Sequence, residues 1–166
     1  MTGLIIKNTG SDYVVRSSDG SNSVCRVKGS FRIKGIKSAS PVTLGDRVEF
    51  DDTGYITELH EHKKYIVRKP TNLSKQLHII AANLDQAILI ITIKNPVTST
   101  TFIDRFLATA EAYHIPTILV FNKIDLLNAE DETYLNAFIH LYESIGYQCL
   151  KMTATQGNGI TELQNT

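Results

Sequence analysis

Residues 100–126 read "TTFIDRFLATAEAYHIPTILVFNKIDL", and the change of period inside this stretch decides the fold. From Thr100 to His114 the apolar residues Phe102, Ile103, Phe106, Leu107 and Ala110 fall at helical spacing, forming one stripe. From Ile115 to Phe121 the period vanishes into a continuous apolar run, the pattern of a strand buried on both faces of a parallel sheet. That run then stops on an amide, an ammonium and, after one more residue, a carboxylate: Asn122, Lys123 and Asp125.

The same alternation extends on either side. "QAILIITI" (86–93) is a second buried run, and "YQCLKM" (147–152) is a third strand. Between the last two strands, "DETYLNAFIHLYESIG" (131–146) stripes Leu135, Phe138, Tyr142 and Ile145, with Gly146 suited to the C-terminal cap. "GITELQNT" opens a further helix that reaches Thr166 without a stop signal. Strands alternating with helices predict βαβ units and a doubly wound, mainly parallel sheet. Three parallel strands leave open edges, so the expectation is an α/β domain that is incomplete in this chain.

The first 69 residues follow a different rule. "LIIK" (4–7), "DYVVR" (12–16), "SVCRV" (23–27), "DRVEF" (46–50), "YITELH" (55–60) and "KYIVRK" (64–69) are short and rich in β-branched and aromatic residues. Thr9-Gly10-Ser11, Ser18-Asp19-Gly20-Ser21 and Asp51-Asp52-Thr53-Gly54 supply turn chemistry between them. Five or six such strands predict a small closed barrel, OB-fold-like first and SH3-like second. The expected domains are therefore a barrel at 1–69, a connector at 70–84 and the partial α/β domain at 85–166.

Composition sets the frame. Of 166 residues, 42% are apolar and 20% charged, an ordinary globular balance. Net charge is zero, yet residues 1–80 carry 13 Lys and Arg against 8 Asp and Glu, and residues 81–166 carry 4 against 9. A basic front and an acidic back predict two units with different partners. Cys25 and Cys149 lack neighbours at metal-ligand spacing and read as reduced thiols of a cytoplasmic protein. The longest apolar run is too short to span a bilayer, and no membrane partner is expected.

In doubly wound sheets ligands bind beyond the carboxyl ends of the strands, where Asn122, Lys123 and Asp125 stand. Guanine presents two adjacent donors, the ring N1–H and the 2-amino group, and one carboxylate accepts both. Adenine has an acceptor at N1 and lacks that amino group, so Asp125 discriminates against it. The Asn122 amide is placed to serve N7 and brace neighbouring loops, and the Lys123 stem to cover the face of the base. Asn-Lys-x-Asp is the guanine-specificity motif of GTPases. About thirty residues on, Thr153-Ala154 occupies the place of the Ser-Ala-type loop whose backbone N–H meets guanine O6. The competing reading makes Asn122 and Asp125 helix-capping groups in an unrelated α/β domain. A phosphate loop of the form G-x-x-x-x-G-K-[ST] occurs nowhere in the chain, and Asp51 to Gly54, though spaced like a Mg²⁺-switch motif, reads as a hairpin turn.

Base-recognition motifs that precede any phosphate loop resemble the circularly permuted GTPases. "CRVKGSFRIKGIKSASPVTLGDRVEF", "HIIAANLDQAILIITIKNP", "FIDRFLATAEAYHIPTILVFNKIDLL" and "GNGITELQ" are similar to the small-ribosomal-subunit-dependent ribosome biogenesis GTPase family across essentially the whole chain. The resemblance implies an N-terminal OB-fold, a permuted P-loop-type GTPase domain and a C-terminal zinc-binding domain. It further implies binding of GTP and GDP, with Mg²⁺ and structural Zn²⁺ held by parts of the protein after residue 166. The implied partners are the small ribosomal subunit and its rRNA, met by a monomer late in subunit maturation. Because the phosphate loop is absent, this chain alone is expected to be inactive as a GTPase.

The front half carries a matching feature. Arg26, Lys28, Arg32, Lys34 and Lys37, with Phe31 among them, combine phosphate-neutralising charge with an aromatic for stacking. With the family resemblance, these six residues are the expected rRNA contact. Lys63, Lys64, Arg68, Lys69 and Lys75 extend the basic surface. The alternative is a non-enzymatic RNA-binding barrel whose α/β half is a scaffold.

Overall fold

A computed structural model describes residues 1–28, 42–61, 63–68 and 78–166. They form two compact units, Met1–Asp85 and Gln86–Thr166.

The first unit holds a closed five-stranded barrel. Its strands are β1 (Thr2–Thr9), β2 (Asp12–Ser17), β3 (Asn22–Val27), β4 (Arg47–Phe50) and β5 (Tyr55–Leu59), hydrogen-bonded in the order β1-β2-β3-β5-β4 and back to β1. The β3–β5 pair is parallel and the other four are antiparallel, which is the Greek-key closure of an OB-fold. Alternation drives it: Ile5, Tyr13, Val15, Cys25, Val48, Phe50 and Ile56 point inward, and the residues between them face outward. Register shifts at Ile5/Lys7 and at Glu49/Phe50 bend strands that must curve around so small a core. The Asp51–Gly54 stretch is the expected turn. The Asp51 carboxylate accepts from the Thr53 hydroxyl and from the Thr53 and Tyr55 backbone N–H groups, and these bonds hold its pKa below the usual aspartate value.

The expected connector at 70–84 contains a strand. β6 (Tyr65–Arg68) pairs antiparallel with β7 (His78–Ala82), and β7 joins the barrel's flank. The Ala82 N–H donates to the Leu44 carbonyl at 2.8 Å, the Thr43 hydroxyl to the Ile79 carbonyl at 3.1 Å, and the Asn83 amide to the Gly45 carbonyl at 2.9 Å. Five residues, His78 to Ala82, give too short an apolar run to announce a strand whose partner lies ten residues upstream. Gly45 makes the approach possible: its φ is +83°, and a β-carbon there would collide with the Ala82 carbonyl.

The second unit is a three-stranded parallel sheet in the order β10-β9-β8, built from β8 (Ala87–Ile91), β9 (Thr117–Phe121) and β10 (Gln148–Lys151). α1 (Thr100–Ala112) and α2 (Ala129–Ser144) cover one face, packing Ile103, Leu107, Leu135, Phe138 and Tyr142 on Leu89, Ile91, Leu119 and Phe121. α3 (Ile160–Gln164) sets Ile160 and Leu163 against Ile118, Val120, Leu150 and Met152 on the other. β9 is buried along its whole length, as its sequence requires. β8 differs from expectation: Ile88 and Ile90 are 45% and 47% exposed, because α3 reaches β9 and β10 and not β8. Phe102 and Ile145, assigned to the helical stripes, are also exposed; Phe102 falls in the first turn of α1, and Ile145 is the residue that ends α2.

Gly45→Ala is expected to destabilise the first unit by about 1–3 kcal/mol, through left-handed strain and backbone collision. Urea denaturation followed by circular dichroism measures this.

Candidate functional site

Three loops leave the carboxyl ends of the parallel strands: residues 92–99 after β8, 122–128 after β9, and 152–159 after β10. The Asn122 side chain joins the last two. Its Oδ1 accepts the backbone N–H of Lys123 at 2.8 Å and that of Ala154 at 3.1 Å. The Asn122 N–H continues the ladder to the Ile91 carbonyl at 2.8 Å, so the amide starts from a fixed strand end. Lys123 adopts a left-handed backbone, φ +64°, uncommon for a residue with a side chain, and sends its ammonium to the Asn95 carbonyl at 2.5 Å. Its head is therefore tied to the β8 loop instead of standing in water, as the sequence reading had it. Two adjacent residues thus pin three loops.

Asp125 follows in a single 3-10 turn, Ile124–Leu126. Its carboxylate is exposed and, among the described residues, bears no hydrogen bond or ion pair. It caps nothing: the N-cap of α2 is Asn128, whose side chain accepts from the Asp131 N–H at 2.9 Å while Asp131 accepts the Asn128 N–H at 3.1 Å. The capping alternative for Asp125 is thereby removed. Asn122 likewise spends its oxygen on two loops, and its Nδ2 remains as a donor toward a ligand acceptor.

The 152–159 loop divides its two expected contacts. Thr153 is buried, and its N–H pairs with the Asn158 carbonyl at 3.0 Å. Ala154 is exposed beside Asn122. Its backbone, not the Thr153 hydroxyl, is the part of the pair that a ligand can reach. Gly159 shapes the return: at φ +80° its missing β-carbon leaves room for the Lys151 carbonyl.

Sequence reading missed the support from Lys94 and Asp131. The Lys94 ammonium lies 2.7 Å from the Asp131 carboxylate and links the β8 loop to the start of α2. That pair, with the Asn128 N–H, holds the Asp131 pKa below the usual aspartate value. The available signal was Asn128 followed three residues later by an acid, a capping-box spacing.

These donors and acceptors are the types a purine edge can use. Among the described residues, a carboxylate and an amide NH₂ without partners, with a lysine between them in sequence, stand at the rim beyond β9. Among the described residues, no three His, Cys, Asp or Glu side chains gather as metal ligands, and no helix is long and apolar enough to cross a membrane. In the first unit, Arg26 bonds Asp12 at 2.6 Å, and Lys28 lies 3.9 Å from Asp51 and 5.0 Å from the centre of the Tyr55 ring. Phe31, Arg32, Lys34 and Lys37 lie outside the described residues.

Comparison with known proteins places the chain in a family. The RsgA GTPase profile matches residues 59–166 and the RsgA N-terminal domain profile matches residues 2–56. This chain belongs to the RsgA GTPase family. The small ribosomal subunit biogenesis GTPase RsgA 2 of Bacteroides thetaiotaomicron is 52% identical over 168 residues, and RsgA of Flavobacterium psychrophilum is 54% identical over 174. Each alignment covers 99% of this chain but only 54% and 53% of the relative, so the chain spans about half the length of the RsgA proteins it matches. Among solved structures, YjeQ from Thermotoga maritima is similar at a TM-score of 0.73 and 32% identity, covering 99% of this chain and 55% of that one. YloQ, described as a circularly permuted GTPase, gives 0.60 and 31%, covering 92% and 51%.

Asn122→Ala removes the acceptor of two backbone N–H groups and is expected to cost the RsgA-type α/β unit about 2 kcal/mol, read as a lowered denaturation midpoint. Acidification probes the Lys94–Asp131 tie. The folded-state pKa of Asp131 is depressed, so its stabilisation is present above the unfolded value and lost as pH falls through the folded one. The Asn128 and Asp131 amide resonances should hold their native shifts below the ordinary aspartate pKa, then move together. In Asp131→Asn that low-pH step should vanish.

Proposed function

We propose that this chain is the base-recognising part of a GTP-binding protein that hydrolyses GTP and assists late maturation of the small ribosomal subunit. The observation that carries this reading is the exposed, unpartnered Asp125 carboxylate beside the pinned Asn122 and Ala154. Family membership supports it, since the curated relatives bear the name of small ribosomal subunit biogenesis GTPases.

Asp125 reads the two donor groups of guanine, the Asn122 Nδ2 donates to N7, the Lys123 stem lies against the ring, and the Ala154 N–H, which Asn122 Oδ1 accepts in the free chain, is shared with O6 when the base binds. Phosphates and Mg²⁺ are held by segments outside these 166 residues, as is structural Zn²⁺. The barrel contacts rRNA through the basic surface that begins at Arg26 and Lys28. The protein works as a cytoplasmic monomer.

Paired titrations with GDP and ADP test the assignment in the complete protein. GDP should bind at least a hundredfold more tightly, and equal affinity would return the α/β unit to the role of a scaffold. Asp125→Asn should abolish the guanine preference and raise affinity for xanthine nucleotides. Because that carboxylate has no hydrogen bond or ion pair among the described residues, unfolding free energy should change by less than about 0.5 kcal/mol. A fall in stability together with affinity would mark Asp125 as structural. The 166-residue chain alone should release phosphate from GTP no faster than buffer.

A further inference from the structure

We propose that the barrel carries a second RNA-binding feature, a basic trough on its β1–β4 side that takes the phosphodiester backbone of a single RNA strand. Two clefts of about 640 Å³ and 440 Å³ share Leu4, Arg47 and His60 and so form one continuous depression within the first unit. Leu4 and Arg47 face each other across the β1–β4 pairing, which fixes an apolar patch beside a guanidinium. Gly3, the next rung, pairs with the inward-facing Val48, and a β-carbon there would collide with the Val15 side chain inside the barrel.

Charge decides the occupant. Lys63 and Lys64 lie at one end of the trough, Arg47 in the middle and Arg16 at the other end. Among the described residues, the Arg47, Lys63 and Lys64 side chains make no ion pair or hydrogen bond. Arg16 spends only its Nε, on the Asn22 amide oxygen at 3.2 Å. The opposing carboxylates lining the trough, Glu61 and Asp85, are confined to the lysine end, and the smaller cleft has none. His60 lies 3.8 Å from the Glu49 carboxylate at the edge.

The contrast with the Arg26 region is physical. Arg26 and Lys28 stand beside Asp12 and Asp51, whose carboxylates offset part of their charge toward a phosphate. Arg47, Lys63 and Lys64 have no side-chain partner among the described residues, and release of counterions from the polyanion by such cations is what drives nucleic-acid binding. A protein partner would call for aromatic or methionine anchors at the centre of the contact, and the apolar lining of the trough is Leu4, Leu84 and the buried Val48. Leu4 suits the apolar face of a ribose between two phosphates.

This inference rests on the reading that the barrel meets ribosomal RNA, and the test separates the two. Binding of the 166-residue chain to fluorescein-labelled dodecauridine is followed by anisotropy across a salt series. Arg47→Glu with Lys63→Glu should weaken binding at least tenfold and reduce the salt slope by about 1.4, the release expected for two contacts on a single strand. Arg26→Glu with Lys28→Glu should weaken it by a smaller factor than the trough pair, and Lys7→Glu, on the barrel outside the trough, by less than twofold. The milder pair Arg47→Gln with Lys63→Gln should fall between wild type and the reversal, with an unchanged circular dichroism spectrum. If the Arg26/Lys28 pair alone abolishes binding, the trough is overturned and the rRNA reading stands. If the unsubstituted chain fails to bind the oligonucleotide, both fall. Displacement by polyglutamate of matched charge as effective as by unlabelled RNA would make the trough a site for acidic protein and overturn the proposal.

Discussion

One side-chain oxygen holds the candidate site together. Asn122 Oδ1 accepts the N–H of its own neighbour and that of Ala154, thirty-two residues away. Without it, two loops leaving adjacent strands would have no common reference, and the Lys123 and Ala154 N–H groups would lose their shared acceptor. Because Asn122 is anchored by its own backbone bond to Ile91, the regularity of the sheet passes directly into the loops. Lys123 completes the arrangement from the other side, accepting a left-handed backbone in order to reach Asn95. Rigidity at this rim leaves Asp125, the next polar residue, free of any internal obligation. A group that must recognise a ligand is useful only if the fold has not already used it.

The first unit follows a similar economy with different means. Its barrel closes on a small set of inward side chains, and its flank is sealed by β7 through backbone and amide contacts that Gly45 makes room for. Cations near acids, such as Arg26 with Asp12, contribute to the barrel's own surface order. Cations without side-chain partners among the described residues, such as Arg47 and Lys63, remain available to an outside polyanion. Both units therefore separate groups that serve the fold from groups that face outward.

Local pattern made much of this legible. The apolar run 115–121 became the fully buried β9, the stripe residues Ile103, Leu107, Leu135, Phe138 and Tyr142 became the core of one sheet face, and the barrel strands fell within a residue or two of their expected ends. Asn-Lys-x-Asp and Thr-Ala could be read because their spacing is set by intervening elements of standard length. β7 was hidden because its pairing is non-local and its run is short. The exposure of Ile88 and Ile90 was hidden because an apolar residue cannot report whether a helix reaches it.

By itself the sequence determined the class of each unit and the types of group at the strand ends, since periodicity and turn chemistry act over neighbouring residues. Tertiary structure alone decided which of those groups are occupied. Asn122 and Lys123 turned out to be braces, Thr153 a buried support, and Asp125 a free acceptor. Among the cations, the same step paired Arg26 and left Arg47 open. Such pairing depends on distances between residues far apart in the chain, and these exist only once the sheet and barrel have closed.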